Sequence, residues 1–173
     1  ALDTSDADVV ALVGGATAND VFTYTLTDSD GDSDTATLTL TIRNDDDGVT
    51  ITNLTPSGQG GDASVDEDDL PDGSDTSKES LTTSGNFSIS APDGVDDLSI
   101  GGHLVISNGV FTATSFTTAY GNTLSITAYD SGTGVVSYTY TLADNEVHAN
   151  ANGQNSLFED FAVLLTDRDG DSD

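Results

Sequence analysis

Apolar and polar residues alternate along two neighbouring stretches in the first quarter of the chain. Phe22, Tyr24 and Leu26 fall on one face of an extended segment, with threonines between them. Residues 35–42 repeat the alternation, with Ala, Leu or Ile at every second position and Thr at the others. Period-two alternation with β-branched outer residues is typical of half-buried antiparallel strands. The two stretches therefore predict a β-hairpin.

Short strand patterns recur along the rest of the chain. Asn108-Gly109 is a tight-hairpin dipeptide, and residues 130–134 mark another turn. We predict no helix beyond a turn at residues 156–160. Strands at this spacing are typical of a sandwich, so the predicted fold class is all-β, an antiparallel β-sandwich. The strands are predicted at residues 49–54, 86–91, 97–100, 103–106, 110–114, 124–129, 135–142 and 161–166.

The acidic connection of the hairpin occurs twice. Residues 28–34 read Asp-Ser-Asp-Gly-Asp-Ser-Asp, and residues 167–173, 139 positions later, read Asp-Arg-Asp-Gly-Asp-Ser-Asp. Repetition at a fixed period indicates tandem modules. We therefore predict three regions: the C-terminal part of a preceding β-sandwich repeat, an acidic linker, and a β-sandwich repeat lacking its last strand. These regions are residues 1–43, 44–48 and 49–173.

The second copy of the repeat contains no counterpart of the strand at residues 35–42. Either the sheet of the second repeat has an open edge, or residues 35–42 fill that place. They would do so within the chain or by strand exchange between chains. The sequence leaves these alternatives open.

The charge of the chain is strongly one-sided. Thirty-one acidic residues face three basic ones, for a formal net charge of −28. This sign excludes a nucleic-acid binder, which must displace counterions from phosphates. It also argues against docking on an anionic membrane, and no apolar run reaches the roughly 18 residues of a membrane span. So large a charge opposes compaction unless cations neutralise it, and without Cys there are no disulfides or thiolate metal sites.

Aspartates at alternating positions around a glycine suit a hard cation that prefers oxygen ligands. Calcium (Ca2+) fits best, because magnesium retains water and zinc favours His or Cys. The loop is not an EF-hand, since Gly31 stands at position four and Thr39 at position twelve. A solvated hairpin turn is the alternative interpretation. The predicted loop ligands are Asp28, Asp30, Asp32, Asp34, Asp167, Asp169, Asp171 and Asp173.

The acidic linker predicts a further calcium site. Asp45, Asp46 and Asp47 lie between two strand patterns, and Glu67 follows soon enough to return to them. An ion held there together with loops of both neighbours would stiffen the joint. The alternative is a flexible charged linker.

Parts of this sequence resemble two protein families. Residues 42–47 with residues 65–73 are similar to the linker of cadherins, whose corresponding acidic residues bind interdomain calcium. Nearly all of residues 20–173 resembles the large tandem repeats, of the roughly 140-residue and VCBS-like kinds, in RTX adhesins that bacteria export by type I secretion. The motifs that carry this are residues 65–73, 126–134, 138–144, 155–158 and both Thr-Asp-x-Asp-Gly-Asp loops.

The resemblance implies a function and a location. It implies an extracellular Ig-like or cadherin-like β-sandwich repeat, secreted to a bacterial cell surface and stiffened by calcium. Such an extender contacts neighbouring repeats of its own chain and projects a distal ligand-binding domain for cell attachment and biofilm formation.

Two other function classes are alternatives to the extender. A calcium-dependent ligand-binding module, for a sugar or a peptide, would use the long loops at residues 56–79 or 143–155. Paired carboxylates leave glycosidase geometry formally open. The carboxylates, however, sit in repeated loops beside no plausible nucleophile, and the chain has no Trp to hold a sugar. We therefore expect no enzymatic activity.

Overall fold

The computed structural model describes residues 12, 16–43, 47–147 and 155–173. The chain divides into two compact units, residues 1–47 with 169–171 and residues 48–168 with 172–173. Within the described ranges the chain forms eleven strands and two short 3-10 turns, with no α-helix. None of the described elements is a helix long and apolar enough to cross a membrane. The all-β class predicted from the sequence is confirmed.

The smaller unit contains the predicted hairpin. Strand β1 (Thr17–Thr27) pairs with β2 (Ser33–Arg43) in an antiparallel two-stranded sheet. Its apolar side chains are largely exposed, and Leu26 retains 77% of its accessible surface. A two-stranded hairpin is only marginally stable by itself in water. The exposed apolar side chains of β1 and β2 therefore contribute little burial to its stability.

The larger unit is built from nine strands in two antiparallel sheets. The strands are β3 (Thr50–Thr52), β4 (Thr82–Ser90), β5 (Val95–Ile100), β6 (His103–Ser107), β7 (Val110–Phe111), β8 (Thr114–Thr117), β9 (Thr123–Asp130), β10 (Val135–Thr141) and β11 (Val163–Asp167). One sheet has the order β3-β4-β10-β9-β8, and the other has the order β11-β5-β6-β7. The 3-10 turns are Ser57–Gln59 and Glu67–Asp69.

One apolar core lies within this unit, and both sheets contribute to it. Period-two alternation places every second residue of a strand on one face. The most deeply buried side chains come from six different strands, β4, β5, β6, β9, β10 and β11, and form one cluster. Each such side chain contributes about 1.5–3 kcal/mol when fully buried. They include Phe87, Leu98, Ile106, Val136 and Leu165.

Two local predictions differ from the structure. Residues 110–114 do not form one strand, because the chain leaves one sheet after Phe111 and enters the other at Thr114. Residues 156–160 form no helical turn. The Asp160 carboxylate instead accepts hydrogen bonds from the backbone N–H (3.2 Å) and hydroxyl (2.6 Å) of Ser57. This pairing holds the segment extended against the loop after β3.

Strand β11 carries the second acidic loop. It pairs with β5 on one side, where Leu165 lies opposite Leu98. On its other side Leu165 exchanges two backbone hydrogen bonds with Asp173, of 2.9 and 3.1 Å, and Thr166 bridges to Ser172. The loop therefore closes a hairpin at the end of β11.

The burial pattern of β11 generates a prediction. Replacing Leu165 with Ala is expected to lower the unfolding free energy by about 2–5 kcal/mol, because core contacts are lost and a cavity remains. Leu164 is 52% exposed on the opposite face, so Leu164→Ala should change it by less than about 0.5 kcal/mol. Urea unfolding of both variants measures this, and equal losses would contradict the assigned face of β11.

Candidate metal centre

The first acidic loop gathers three carboxylates. Asp28, Asp30 and Asp32 each offer an oxygen, and these oxygens lie within 4.8 Å of one another on exposed side chains. Asp28 Oδ1 organises the loop by accepting hydrogen bonds from the N–H groups of Asp30, Gly31 and Asp32, at 3.3, 3.0 and 2.9 Å. Gly31 has a φ of 103°, a backbone conformation that glycine adopts without steric cost. The sequence pattern thus folds into a compact turn whose carboxylates converge.

The electrostatics of this loop keep Asp28 ionised. Its pKa is lowered, first by a side-chain hydrogen bond with Asp30 and further by the backbone N–H donors of the turn. Because the folded pKa lies below the ordinary value of 3.8, ionised Asp28 favours the folded loop above that pH. The contribution is lost as the pH falls through the folded pKa. An anionic loop at neutral pH is the state that a cation requires.

The second acidic loop gathers a different set. Asp167 and Asp169 are joined by Asp93, and one oxygen from each lies within 4.8 Å of the other two. Asp167 is only 3% exposed, and Asp93 and Asp169 are half-buried. A buried carboxylate is tolerated when it is hydrogen-bonded, paired or bound to a metal. This group is therefore better shielded from water than the first.

Asp93 was missed by sequence reasoning. It lies in the turn between β4 and β5, and the carbonyl oxygen of the next residue, Gly94, accepts the backbone N–H of Arg168 at 3.2 Å. This contact ties the turn to the acidic loop across more than 70 positions of sequence. Its only local signal was the turn tripeptide Pro92-Asp93-Gly94, which does not specify a partner.

A third group of carboxylates was also missed. Asp69, Asp75 and Glu79 place oxygens within 4.8 Å of one another. Asp69 is 7% exposed, and its Oδ1 accepts the backbone N–H of Glu79 at 2.9 Å. The pKa of Glu79 is raised, first by its side-chain hydrogen bond to Asp69 and then by repulsion from that carboxylate. The close approach of the Asp69 and Glu79 carboxylates is therefore unfavourable when both are ionised, and a bound cation would offset this repulsion.

Three predicted loop ligands lie outside these groups. Asp34 Oδ1 accepts the N–H of Thr35 at 2.9 Å, and Asp173 Oδ2 accepts the N–H of Ile51 at 2.7 Å. Asp171 is half-buried in the second loop. Nothing observed tests these three as ligands, so they stay predictions.

The predicted linker site is only partly covered by the structure. Asp45 and Asp46 lie outside the described residues, and Asp47 is exposed. The carboxylate of Glu67, in the second 3-10 turn, accepts the backbone N–H of Glu146. A shared ion at the linker therefore remains a prediction.

A polar network ties residues near the second long loop to the ends of β9 and β10. The Tyr140 hydroxyl donates to Glu159 at 2.6 Å, and buried Asn122 donates to Glu146 at 2.9 Å. Burial, followed by the Glu159 carboxylate, raises the pKa of Tyr140 well above its usual value. The phenol is therefore neutral at physiological pH, and its role here is to hold a glutamate.

The chemistry of the three groups suits a hard cation in general. In each of these three groups of described residues, oxygens of three acidic side chains lie within 4.8 Å of one another, close enough to contact one metal ion. Calcium takes 6–8 oxygen ligands, so three carboxylates supply part of a shell that backbone oxygens and water would complete. His103 lies in none of these groups and stacks on Phe116, with ring centroids 3.9 Å apart. His148 lies outside the described residues.

The raised pKa of Glu79 yields a prediction. Because the folded pKa exceeds the ordinary value of 4.5, ionised Glu79 destabilises the fold at neutral pH. Stability returns as the pH falls through the folded pKa. In chelator at pH 7, Glu79→Gln should therefore raise the melting temperature. Below pH 4.5 the gain should vanish.

The matched control for this prediction is Asp72→Asn, which also removes one negative charge near this group. Asp72 is exposed and belongs to none of the three groups. Thermal unfolding at both pH values measures the difference. A gain for Asp72→Asn as large as that for Glu79→Gln would show general charge relief and would contradict local repulsion.

Comparison with known proteins adds no family. No family model, curated protein or solved structure matches the chain. The resemblance to adhesin repeats and to cadherin linkers therefore remains a prediction from sequence motifs.

Proposed function

We propose that this chain is a calcium-stabilised structural extender repeat of a large bacterial surface adhesin. In this role it contacts neighbouring repeats of the same chain and is secreted to the cell surface. It projects a distal ligand-binding domain for attachment and biofilm formation. Its work is mechanical, and no catalysis is assigned to it.

The observation that carries the proposal is the acidic hairpin that occurs twice. In the first copy Leu26 lies opposite Asp34 and Thr27 opposite Ser33. In the second, Leu165 pairs with Asp173 and Thr166 with Ser172, so each partner is displaced by the same 139 positions. Gly31 and Gly170 share a positive φ, of 103° and 109°. A device that recurs in both sequence and conformation favours a tandem structural role over a unique binding or catalytic site.

The charge of the chain supports calcium as the stabilising ion. A net charge of −28 opposes folding through self-repulsion, and each divalent ion offsets two charges. Calcium sites of extracellular modules have dissociation constants of about 0.1–1 mM. One site of about 0.1 mM contributes roughly 2.7 kcal/mol at about 10 mM calcium. Several such sites are a large share of a typical stability of about 5–15 kcal/mol.

The ion is tested by thermal unfolding of the full chain in EDTA and in about 10 mM calcium. We expect calcium to raise the melting temperature by several degrees. Asp167→Asn should reduce that increment, because the variant keeps the shape of a buried ligand and loses its charge. Asp72→Asn should keep the full increment. The comparison uses the calcium-dependent change within each variant, so any effect of the substitution in EDTA cancels.

Two results would contradict the calcium proposal. An unchanged melting temperature in calcium would indicate that the acidic groups are solvated turns that bind no calcium. An equal increment in wild type, Asp167→Asn and Asp72→Asn would indicate charge screening without a site. Magnesium at the same concentration separates a selective site from general screening by divalent ions.

Extension itself is tested by small-angle scattering. We propose that calcium at Asp45, Asp46 and Asp47 stiffens the linker, with Glu67 as a contributor. Calcium should then lengthen and stiffen the wild-type particle, and replacement of the three linker aspartates by Asn should abolish this change. Particle dimensions that change neither with calcium nor with the substitutions would contradict the proposed extender function.

A calcium-dependent ligand-binding module is the second candidate. The exposure of Asp28, Asp30 and Asp32 at a hairpin tip favours it, because an ion that contacts a ligand needs open coordination there. Deletion of the linker discriminates between the candidates. Retained ion binding without a change in rigidity would favour the binding module, and loss of rigidity would favour the extender.

A further inference from the structure

We propose that Arg168 is a positioning residue. It docks the turn between β4 and β5 on the second acidic loop and so places Asp93 among the calcium ligands of that loop. The calcium part of this inference rests on the proposed function. The docking of the turn does not depend on an ion, so the two parts are tested separately.

The two acidic loops differ in sequence at a single position. Residues 28–34 and 167–173 are otherwise identical, and Ser29 of the first loop is replaced by Arg168 in the second. Arg168 is also one of only three basic residues in the chain. Any difference between the loops that their own sequences cause therefore arises from Arg168.

The carboxylate groups of the two loops differ in one member. The first group takes all three carboxylates from its own loop. The second takes Asp167 and Asp169 from the corresponding positions, and its third member is Asp93, from the turn between β4 and β5. Asp171 corresponds to Asp32 of the first group, and among the described residues it is not a member of the second. The second loop therefore has a tertiary carboxylate where the first has a local one.

The side chain of Arg168 lies against the turn that carries Asp93. A Cβ atom added to Gly94 would lie 3.4 Å from Arg168 Nε and 3.5 Å from its Cδ, so the side chain runs close beside this glycine. The backbone N–H of Arg168 also donates to the Gly94 carbonyl oxygen at 3.2 Å. Side chain and main chain of one residue thus contact the same turn.

A second turn lies near the end of the same side chain. A Cβ atom added to Gly109, in the turn between β6 and β7, would lie 3.4 Å from one terminal nitrogen of Arg168. That turn is held to β5 by the N–H of Gly109, which donates to the Asp96 carbonyl oxygen at 2.7 Å. The guanidinium is planar and rigid. Arg168 therefore spans both turns, which a serine side chain is too short to do.

A tight turn transmits this placement to Asp93. The Gly94 N–H closes the turn by donating to the Ala91 carbonyl oxygen at 2.9 Å, and Pro92 fixes φ at the first central position. Asp93 is the second central residue. Docking of Gly94 on Arg168 therefore fixes the backbone from which the Asp93 carboxylate extends.

Positioning and charge have opposite effects on calcium at this group. A guanidinium repels a nearby dication, so removal of its charge alone would strengthen calcium binding. Removal of a residue that orients a metal ligand weakens metal binding, by about 10–100-fold. Arg168 is exposed, so water screens its charge. We therefore expect positioning to be the larger effect.

The calcium role is tested by calcium titration of the isotope-labelled full chain, followed by NMR. The amide of Gly170 reports on the second loop, and that of Gly31 reports on the first. Arg168→Ser should weaken calcium binding at Gly170 by about tenfold and leave binding at Gly31 unchanged. The matched variant Ser29→Arg should weaken binding only at Gly31, because it adds a positive charge there. Stronger or unchanged binding at Gly170 in Arg168→Ser would overturn the positioning role.

A double-mutant cycle tests whether Arg168 acts through Asp93. Asp93→Asn should weaken calcium binding at Gly170 by itself, because it removes a ligand charge. Adding Arg168→Ser to that variant should then cause little further loss. Independent losses, whose fold-changes multiply in the double variant, would overturn action through Asp93.

Docking of the turn is tested in EDTA by amide hydrogen exchange. In Arg168→Ser the amide at position 168 should lose protection several-fold, because its partner Gly94 is held less firmly. Ser29→Arg should leave that protection unchanged. Unchanged protection in Arg168→Ser would overturn the docking. If the wild-type chain binds no calcium, the proposed function and the calcium role both fail, while lost protection in Arg168→Ser would still support the docked turn.

Discussion

The sandwich and its second acidic loop depend on one constraint. Strand β11 packs against the core, and its last residue, Asp167, is a carboxylate. Period-two geometry places Val163, Leu165 and Asp167 on the same face. The two apolar residues bury against the core, and Asp167 is carried inward with them to 3% exposure. Burial of a carboxylate costs free energy that hydrogen bonds, an opposite charge or a metal ion must offset. The strand that anchors the sandwich therefore also creates its best-shielded acidic group.

The two copies of the acidic hairpin separate local from tertiary effects. Both copies close with the same pairs and the same glycine conformation, so the turn is specified within about ten residues of sequence. Their surroundings differ, because Leu165 is fully buried whereas its counterpart Leu26 is 77% exposed. The local sequence thus builds the carboxylate turn, and the sheet beneath it determines whether the turn is buried.

The sequence by itself determined the strands, the hairpin and the acidic turn, because alternation, β-branched residues and an Asp-Gly loop act over a few positions. It predicted that Asp28, Asp30 and Asp32 converge, and likewise Asp167 with Asp169. Only the tertiary structure brought Asp93 to that second pair, and only it gathered Asp69, Asp75 and Glu79. It also split residues 110–114 between two sheets. These features depend on which strands become neighbours, and that choice follows from burying a shared core, which no local pattern encodes.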